Sequence, residues 1–118
     1  FDNWIRALQE GKASDMGTRF NAGVWLECRR NAAAFLEEAK ERLPGRADAL
    51  LDQAHGHYTA VSRHLAQVAE LYPWCPGASA EDTLPVDEQS RAAVEALAAA
   101  KRAETAALQT VKELVRAL

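Results

Sequence analysis

Apolar side chains recur every three to four residues along three long stretches of this chain, and this spacing predicts α-helices. Val, Ile and Thr nowhere alternate with polar residues over the length of a strand. Gly and Pro interrupt the pattern near residue 11, at Pro44–Gly45 and between residues 73 and 85. The predicted helices cover about residues 2–10, 18–43, 47–72 and 86–117. We therefore predict an all-α fold, with three long helices in an antiparallel up-down bundle and a short N-terminal helix.

The predicted second and fourth helices carry the longest apolar rows. In the second helix, Leu36 widens a row made of Phe20, Val24, Cys28, Ala32, Phe35, Ala39 and Leu43. In the fourth helix, the row consists of Ala93, Leu97, Ala100, Leu108, Val111, Val115 and Leu118. Both rows are predicted to face the core. Thr18 is the predicted N-cap of the second helix, and Trp74 is expected to dock on the end of the bundle and hold the loop over 73–85.

Length and charge restrict the classes of partner. The 118 residues fit one small domain. Basic residues number 14 against 17 acidic ones and are spread along the chain, so the basic patch of a nucleic-acid-binding protein is missing. No apolar run approaches the roughly 20 residues that a membrane-spanning helix needs. We expect neither nucleic-acid binding nor membrane insertion.

The two cysteines are predicted to be free thiols. Cys28 falls within the apolar row of the second helix, where a small buried thiol is the usual interpretation, and Cys75 lies in a Pro-Trp-Cys-Pro loop. A disulfide between them is the alternative, but the spacing is not that of a disulfide framework. No signal peptide is evident. We therefore expect a reducing, cytoplasmic location. Neither thiol has a histidine base nearby in the sequence, so no catalytic residue is predicted.

The histidines do not have metal-site spacing. His57 and His64 are separated by about 10.5 Å along a helix axis, too far for one metal ion with bonds near 2 Å without further ligands. No Glu-x-x-His or His-x-x-x-His sequence occurs. We expect no metal and no cofactor, and a metal-dependent bundle enzyme using His57, His64 and Glu104 is the least favoured alternative.

Polar side chains within the apolar rows are the candidates for a site. Asn21 projects into the row of the second helix, and Glu104 falls within the row of the fourth. A carboxylate there must be paired or neutral, because burying it alone is costly. Glu104 either reaches water at the rim, joins a buried network that fixes helix register, or contacts a ligand. Glu27 and Arg30 have the spacing of a helical ion pair. The candidate buried polar cluster comprises Asn21, Glu27, Arg30, His57, Tyr58, His64 and Glu104.

Several short segments together carry a family resemblance. They are the helix Trp4-Ile5-Arg6-Ala7-Leu8, the run Asn21–Ala39 with its Ala-x-Phe-Leu, the turn Tyr72-Pro73-Trp74, and Ala100-x-x-x-Glu104. These segments resemble the helical C-terminal region of uncharacterised bacterial proteins whose N-terminal domain is BtrH-like, that is, papain-related and C39-like. The resemblance implies that a Cys-His machinery would belong to that N-terminal domain. It also implies that Asn21, Glu27, Arg30 and Glu104 shape a pocket or an inter-domain contact.

Two functional hypotheses follow. The first is a non-catalytic accessory domain, a C-terminal fragment of a longer protein, because Phe1 already lies in helical sequence. It would pack on, or shape the pocket of, an N-terminal domain of the same chain. The second is a freestanding helical interaction protein that forms a homodimer through its fourth helix.

Overall fold

Four α-helices account for the regular structure of the computed structural model, which describes all 118 residues. They are α1 (Asp2–Gln9), α2 (Asp15–Arg42), α3 (Asp48–Leu71) and α4 (Glu88–Ala117). The chain contains no strand, only an isolated β-bridge between Ser14 and Thr83. The predicted all-α fold, with three long helices and a short N-terminal one, is confirmed.

The helix α3 lies between its two long neighbours. Its backbone packs closely against both α2 and α4, whereas no Cα atoms of α2 and α4 come within 8 Å of each other. The short helix α1 packs on α4. Asp2 of α1 bonds Lys101 at 2.7 Å, while Leu8 lies beside Ser90, so α1 runs antiparallel to α4. As a result, α1 covers only the N-terminal half of α4.

Two groups of buried side chains form the core. The larger group lies beneath α1 and includes Leu8, Leu65 and Leu97, each no more than 1% exposed. The smaller group lies towards the other end and consists of Leu36, Leu51, Ala54 and Leu114. A helix of 28 residues such as α2 extends about 42 Å, so one bundle accommodates both groups along its length.

The start of α2 corrects one prediction. Ser14, not Thr18, is the N-cap, and its hydroxyl accepts a hydrogen bond from the Gly17 amide at 3.0 Å. Thr18 lies inside the helix and is 3% exposed. The earlier start is supported from a distant segment, because the Asp15 amide donates to the carbonyl of Asp82 at 2.9 Å.

The turn before α3 contains the only non-glycine residue with a positive φ. Gly45 has φ +77°, which glycine adopts freely, whereas Ala47 has φ +55° and ψ +32°. A Cβ in this left-handed region is crowded by the backbone. The chain must reverse here within a few residues of Pro44, and Ala47 packs beside the smaller core group.

Most of the predicted apolar row of α2 does not face the core, although Leu36 is buried and Ala39 packs on the smaller core group. Phe20, Val24 and Phe35 are 56%, 39% and 68% exposed, and Cys28 is exposed as well. A row with steps of four advances about 40° around the helix at each step, so it cannot remain on one face. The buried face instead consists of Thr18, Ala22, Leu26, Ala33 and Leu36.

The predicted row of α4 is correct in its first half and, in its second half, only at Val111, which packs on the smaller core group. Ala93, Leu97 and Ala100 are fully buried, but Leu108, Val115 and Leu118 are at least half exposed. The reason is the length of α1, which ends its contact with α4 near Lys101.

A different side chain from the predicted Trp74 anchors the loop between α3 and α4. Trp74 is 57% exposed, and its ring meets Phe20 edge-on with the centroids 6.3 Å apart. Leu84 holds the loop instead: it is 8% exposed and its amide donates to the Ala13 carbonyl at 2.8 Å. The Leu84 side chain is smaller than the Trp74 indole, and its backbone hydrogen bond to Ala13 already holds it close to the bundle.

Candidate functional site

An ion pair between α2 and α4 forms the centre of the candidate site. Arg29 donates from Nε to Glu104 Oε1 at 2.8 Å and from Nη2 to Oε2 at 3.2 Å. Both side chains are largely covered, with 23% and 18% exposure. A two-pronged guanidinium–carboxylate pair of this kind restricts distance and angle together. It therefore connects the two helices that make no close backbone contact.

Aromatic rings from α1 and α2 surround the guanidinium. The Arg29 guanidinium carbon lies 5.3 Å from the ring centroid of Trp25 and 5.8 Å from that of Phe1, within the range of cation–π attraction. Trp25 also meets Phe1 and Trp4 edge-on, at centroid distances of 5.2 and 5.1 Å. The first residues of α1 thus join the ion pair to the larger core group.

Tyr58 of α3 lies near the same ion pair. Burial raises the pKa of its hydroxyl, the negative charge of Glu104 raises it further, and the positive charge of Arg29 acts in the opposite direction. Tyr58 also packs beside the smaller core group. Of the predicted cluster, Tyr58 and Glu104 are the two members that the structure brings together.

The other predicted members lie elsewhere. Glu27 and Arg30 are exposed, no ion pair joins them, and Arg30 lies beside Ser62 and Arg63 of α3. Asn21 is partly buried and lines a cleft between α1 and α2. The seven residues therefore do not form one buried cluster.

The histidines are also separate. His64 Nδ1 lies 3.2 Å from Gln67 Oε1 in its own helix, and His57 is partly buried on α3. No group of three or more His, Cys, Asp or Glu side chains is close enough to hold a metal ion. His57, His64 and Glu104 thus do not converge.

Arg29 is the site residue that the sequence interpretation missed. The row through Phe20, Val24 and Cys28 placed it away from the core. The alternative spacing Ala22, Leu26, Ala33, Leu36 places Arg29 within the buried face. A second signal was present, since Trp25 and Arg29 are four residues apart and therefore neighbours on a helix.

The Glu104 carboxylate and the Arg29 guanidinium are paired with each other, and the Trp25 ring lies against the guanidinium. Both cysteines are free thiols, as predicted; Cys28 lies on the exposed side of α2 and Cys75 in the loop. None of the four helices combines the length and apolar character needed to span a membrane. Comparison with protein families, curated proteins and solved structures finds no match to this chain.

Proposed function

We propose that this chain is a non-catalytic accessory domain that binds an α-helix of a neighbouring domain on one uncovered face. The open face consists of the exposed Phe35 on α2 and Leu108, Val115 and Leu118 on α4, together with the partly buried Ala32, Ala39 and Val111, of which the last two also pack on the smaller core group. The main support for this proposal is the exposure of large apolar side chains on the open face: 68% for Phe35, 50% for Leu108 and 67% for Val115. Contiguous exposed apolar side chains mark interaction surfaces.

A helical occupant is supported by continuity with α1. On α4, α1 covers Val94 and bonds Lys101, and Leu108 and Val115 follow at intervals of seven residues. On α2, Thr18 and Trp25 lie beside α1, and Ala32 and Ala39 follow at the same interval. Positions seven apart lie on nearly the same side of a helix. The open face therefore repeats the surface that α1 already covers.

The charges beside the open face indicate what the occupant carries. Lys112 and Arg116 flank Leu108 and Val115, and neither is in an ion pair within the chain. A helix with apolar residues on one side and acidic residues along the α4 edge is complementary to this surface. The resemblance to BtrH-like proteins favours a papain-related N-terminal domain as the source of that helix, which is the narrower part of the proposal.

Site-specific photo-crosslinking tests the proposal. A benzophenone amino acid replaces Val115 in the protein expressed from its complete reading frame, and Gln53, exposed on the far side of α3, is the control position. We expect Val115 to crosslink to a helical segment outside residues 1–118 of the same polypeptide. Absence of any crosslink above the Gln53 control would overturn the proposal.

A crosslink between two copies of α4 would instead support the alternative function, a homodimer. Light scattering after size-exclusion chromatography distinguishes the two, because a mass independent of concentration excludes the homodimer. Replacing Leu108 and Val115 by Glu should abolish either association, whereas Ala49→Glu with Gln53→Glu adds the same charge on α3 and should not. Hydrolase or transferase activity in the isolated chain would contradict the non-catalytic role.

A further inference from the structure

A cleft between α1 and α2 lies outside the open face and outside the ion pair. Its volume is about 730 Å³, within the range of small-molecule sites. It extends from the loop residues 12–14 at one end to Phe1 and Trp25 at the other. Because α1 has only eight residues, about 12 Å of helix, the cleft suits a compact ligand better than an extended chain.

The cleft is lined by a hydroxyl that makes no hydrogen bond within the chain. Thr18 lines it and is 3% exposed. Elsewhere in the helices the hydroxyl groups of Thr59, Ser62, Thr105 and Thr110 each donate to the carbonyl four residues earlier. Thr18 makes no such bond, so its hydroxyl is free to bond a molecule in the cleft.

Two carboxamides at the cleft also have no partner within the chain. Asn3 and Asn21 line opposite sides of the cleft, and neither side chain makes a hydrogen bond within the chain, whereas nearby Ser14 and Arg19 both do. The Nε1 atom of Trp4 also has no acceptor, but it is shielded from solvent and is therefore not exposed to the cleft. Amides and hydroxyls each donate and accept, so the ligand must offer both kinds of group at close spacing.

The charged side chains at the cleft are already engaged. Asp2 bonds Lys101 at 2.7 Å, and Lys12 pairs with Glu10 at 3.4 Å. An ionic ligand would therefore have to compete with existing pairs, whereas a neutral one would not. The rings of Phe1, Trp4 and Trp25 offer apolar contact at one end of the cleft.

We infer that this cleft is a binding site for a neutral saccharide of one or two rings. A pyranose combines an apolar C–H face, which packs against aromatic rings, with neighbouring hydroxyls, which donate to and accept from amides. Thr18, Asn21 and Asn3 bond the hydroxyls, and the aromatic end of the cleft contacts the apolar face. The inference is independent of the open face.

Nuclear magnetic resonance titration of the ¹⁵N-labelled chain tests the inference, with D-glucose, D-galactose and N-acetyl-D-glucosamine as probes. We expect saturable shifts of the Trp4 and Trp25 indole signals and of the Asn21 side-chain amide with at least one sugar. Thr18→Val keeps the shape and removes the hydroxyl, and Asn21→Ala removes the amide at a partly exposed position. Each should weaken binding about tenfold. Asn31→Ala, exposed further along the same helix, should not.

Three results would overturn the inference. One is the absence of a saturable response to all three sugars. Another is a response that Thr18→Val and Asn21→Ala both leave unchanged while their spectra remain folded. The third is tighter binding of an uncharged blocked dipeptide than of any sugar. The double substitution of Leu108 and Val115 by Glu should leave sugar binding intact, so failure of this site and failure of the proposed interaction face are distinguishable.

Discussion

The half of the bundle beneath α1 and the half beyond the Arg29–Glu104 pair have the same spacing of apolar side chains along α4. They differ in how much of those side chains is buried. Beneath α1, Leu97 is fully buried, while Leu108, eleven residues later in the same helix, is 50% exposed. Nothing in the local sequence of α4 distinguishes these two leucines. The difference arises from α1, which is only eight residues long and covers one half.

An apolar row therefore identifies the side of a helix that favours contact, but it does not identify which element packs against that side. In the first half the contact comes from this chain. In the second half the same spacing leaves a surface that we assign to another helix. The following predictions test this difference, beginning with the largest expected effect.

Truncation of the two leucines should have very different effects on stability. Leu97→Ala removes a fully buried side chain and should lower the free energy of unfolding by about 3 kcal/mol. Leu108→Ala should lower it by less than about 1 kcal/mol, because half of that side chain is already in water. Urea denaturation of the isolated chain measures both. Equal losses would mean that the open face is covered in solution.

The ion pair at the boundary should couple the two helices. A double-mutant cycle with Arg29→Gln and Glu104→Gln should give a coupling energy of about 1–2 kcal/mol, since the pair is two-pronged and largely covered. The cycle with Lys40→Gln and Asp52→Asn is the control. That pair is more exposed, at 43% and 61%, and should give at most about 0.5 kcal/mol. Similar values for both cycles would contradict a special role for Arg29 and Glu104.

Relief of backbone crowding at Ala47 should stabilise the half that α1 does not cover. Ala47→Gly should raise the free energy of unfolding by about 0.5–1 kcal/mol, because glycine adopts the left-handed conformation without a Cβ clash. Ala49→Gly is the matched control: it lies exposed in the first turn of α3 and should cost up to about 1 kcal/mol. Loss of stability in Ala47→Gly would show that the conformation is not strained.

The loss of stability at alkaline pH should reveal how strongly each region shields its tyrosine hydroxyl, that of Tyr72 in one region and that of Tyr58 in the other. Burial raises the pKa of Tyr72, with a further increase from Asp87 and an opposing effect of Arg19, and burial likewise raises the pKa of Tyr58. A raised folded pKa means that stability is complete below the unfolded value near 10 and falls as pH rises above it. Each Tyr→Phe variant should therefore reduce the loss of urea stability between pH 9 and about pH 11.

Tyr72 is 3% exposed beneath α1 and Tyr58 is partly exposed near the boundary. We therefore expect Tyr72→Phe to remove the larger share of the alkaline loss. If Tyr58→Phe removes as much, the boundary region is as well shielded as the covered half.

Much of the fold was predictable because helix formation depends on local spacing. The ends of α1, α3 and α4 lie within about two residues of the predictions, within the usual boundary error, and Pro44 and Pro73 lie in the connecting segments as expected. The start of α2 was placed too late, since its first amides bond carbonyls of the distant loop between α3 and α4. The site was predictable only in part: Glu104 and Tyr58 were identified, but Arg29 was not.

The helical class, the number of helices and the unusual position of Glu104 within an apolar row follow from the amino-acid sequence alone. These depend on residues a few positions apart, whose relative placement the helix geometry fixes. The partner of Glu104, the exposure of Leu108 and Val115, and the cleft around Thr18 were decided by tertiary structure. Each depends on where the short helix α1 lies relative to α2 and α4, and that placement depends on contacts between residues far apart in the chain.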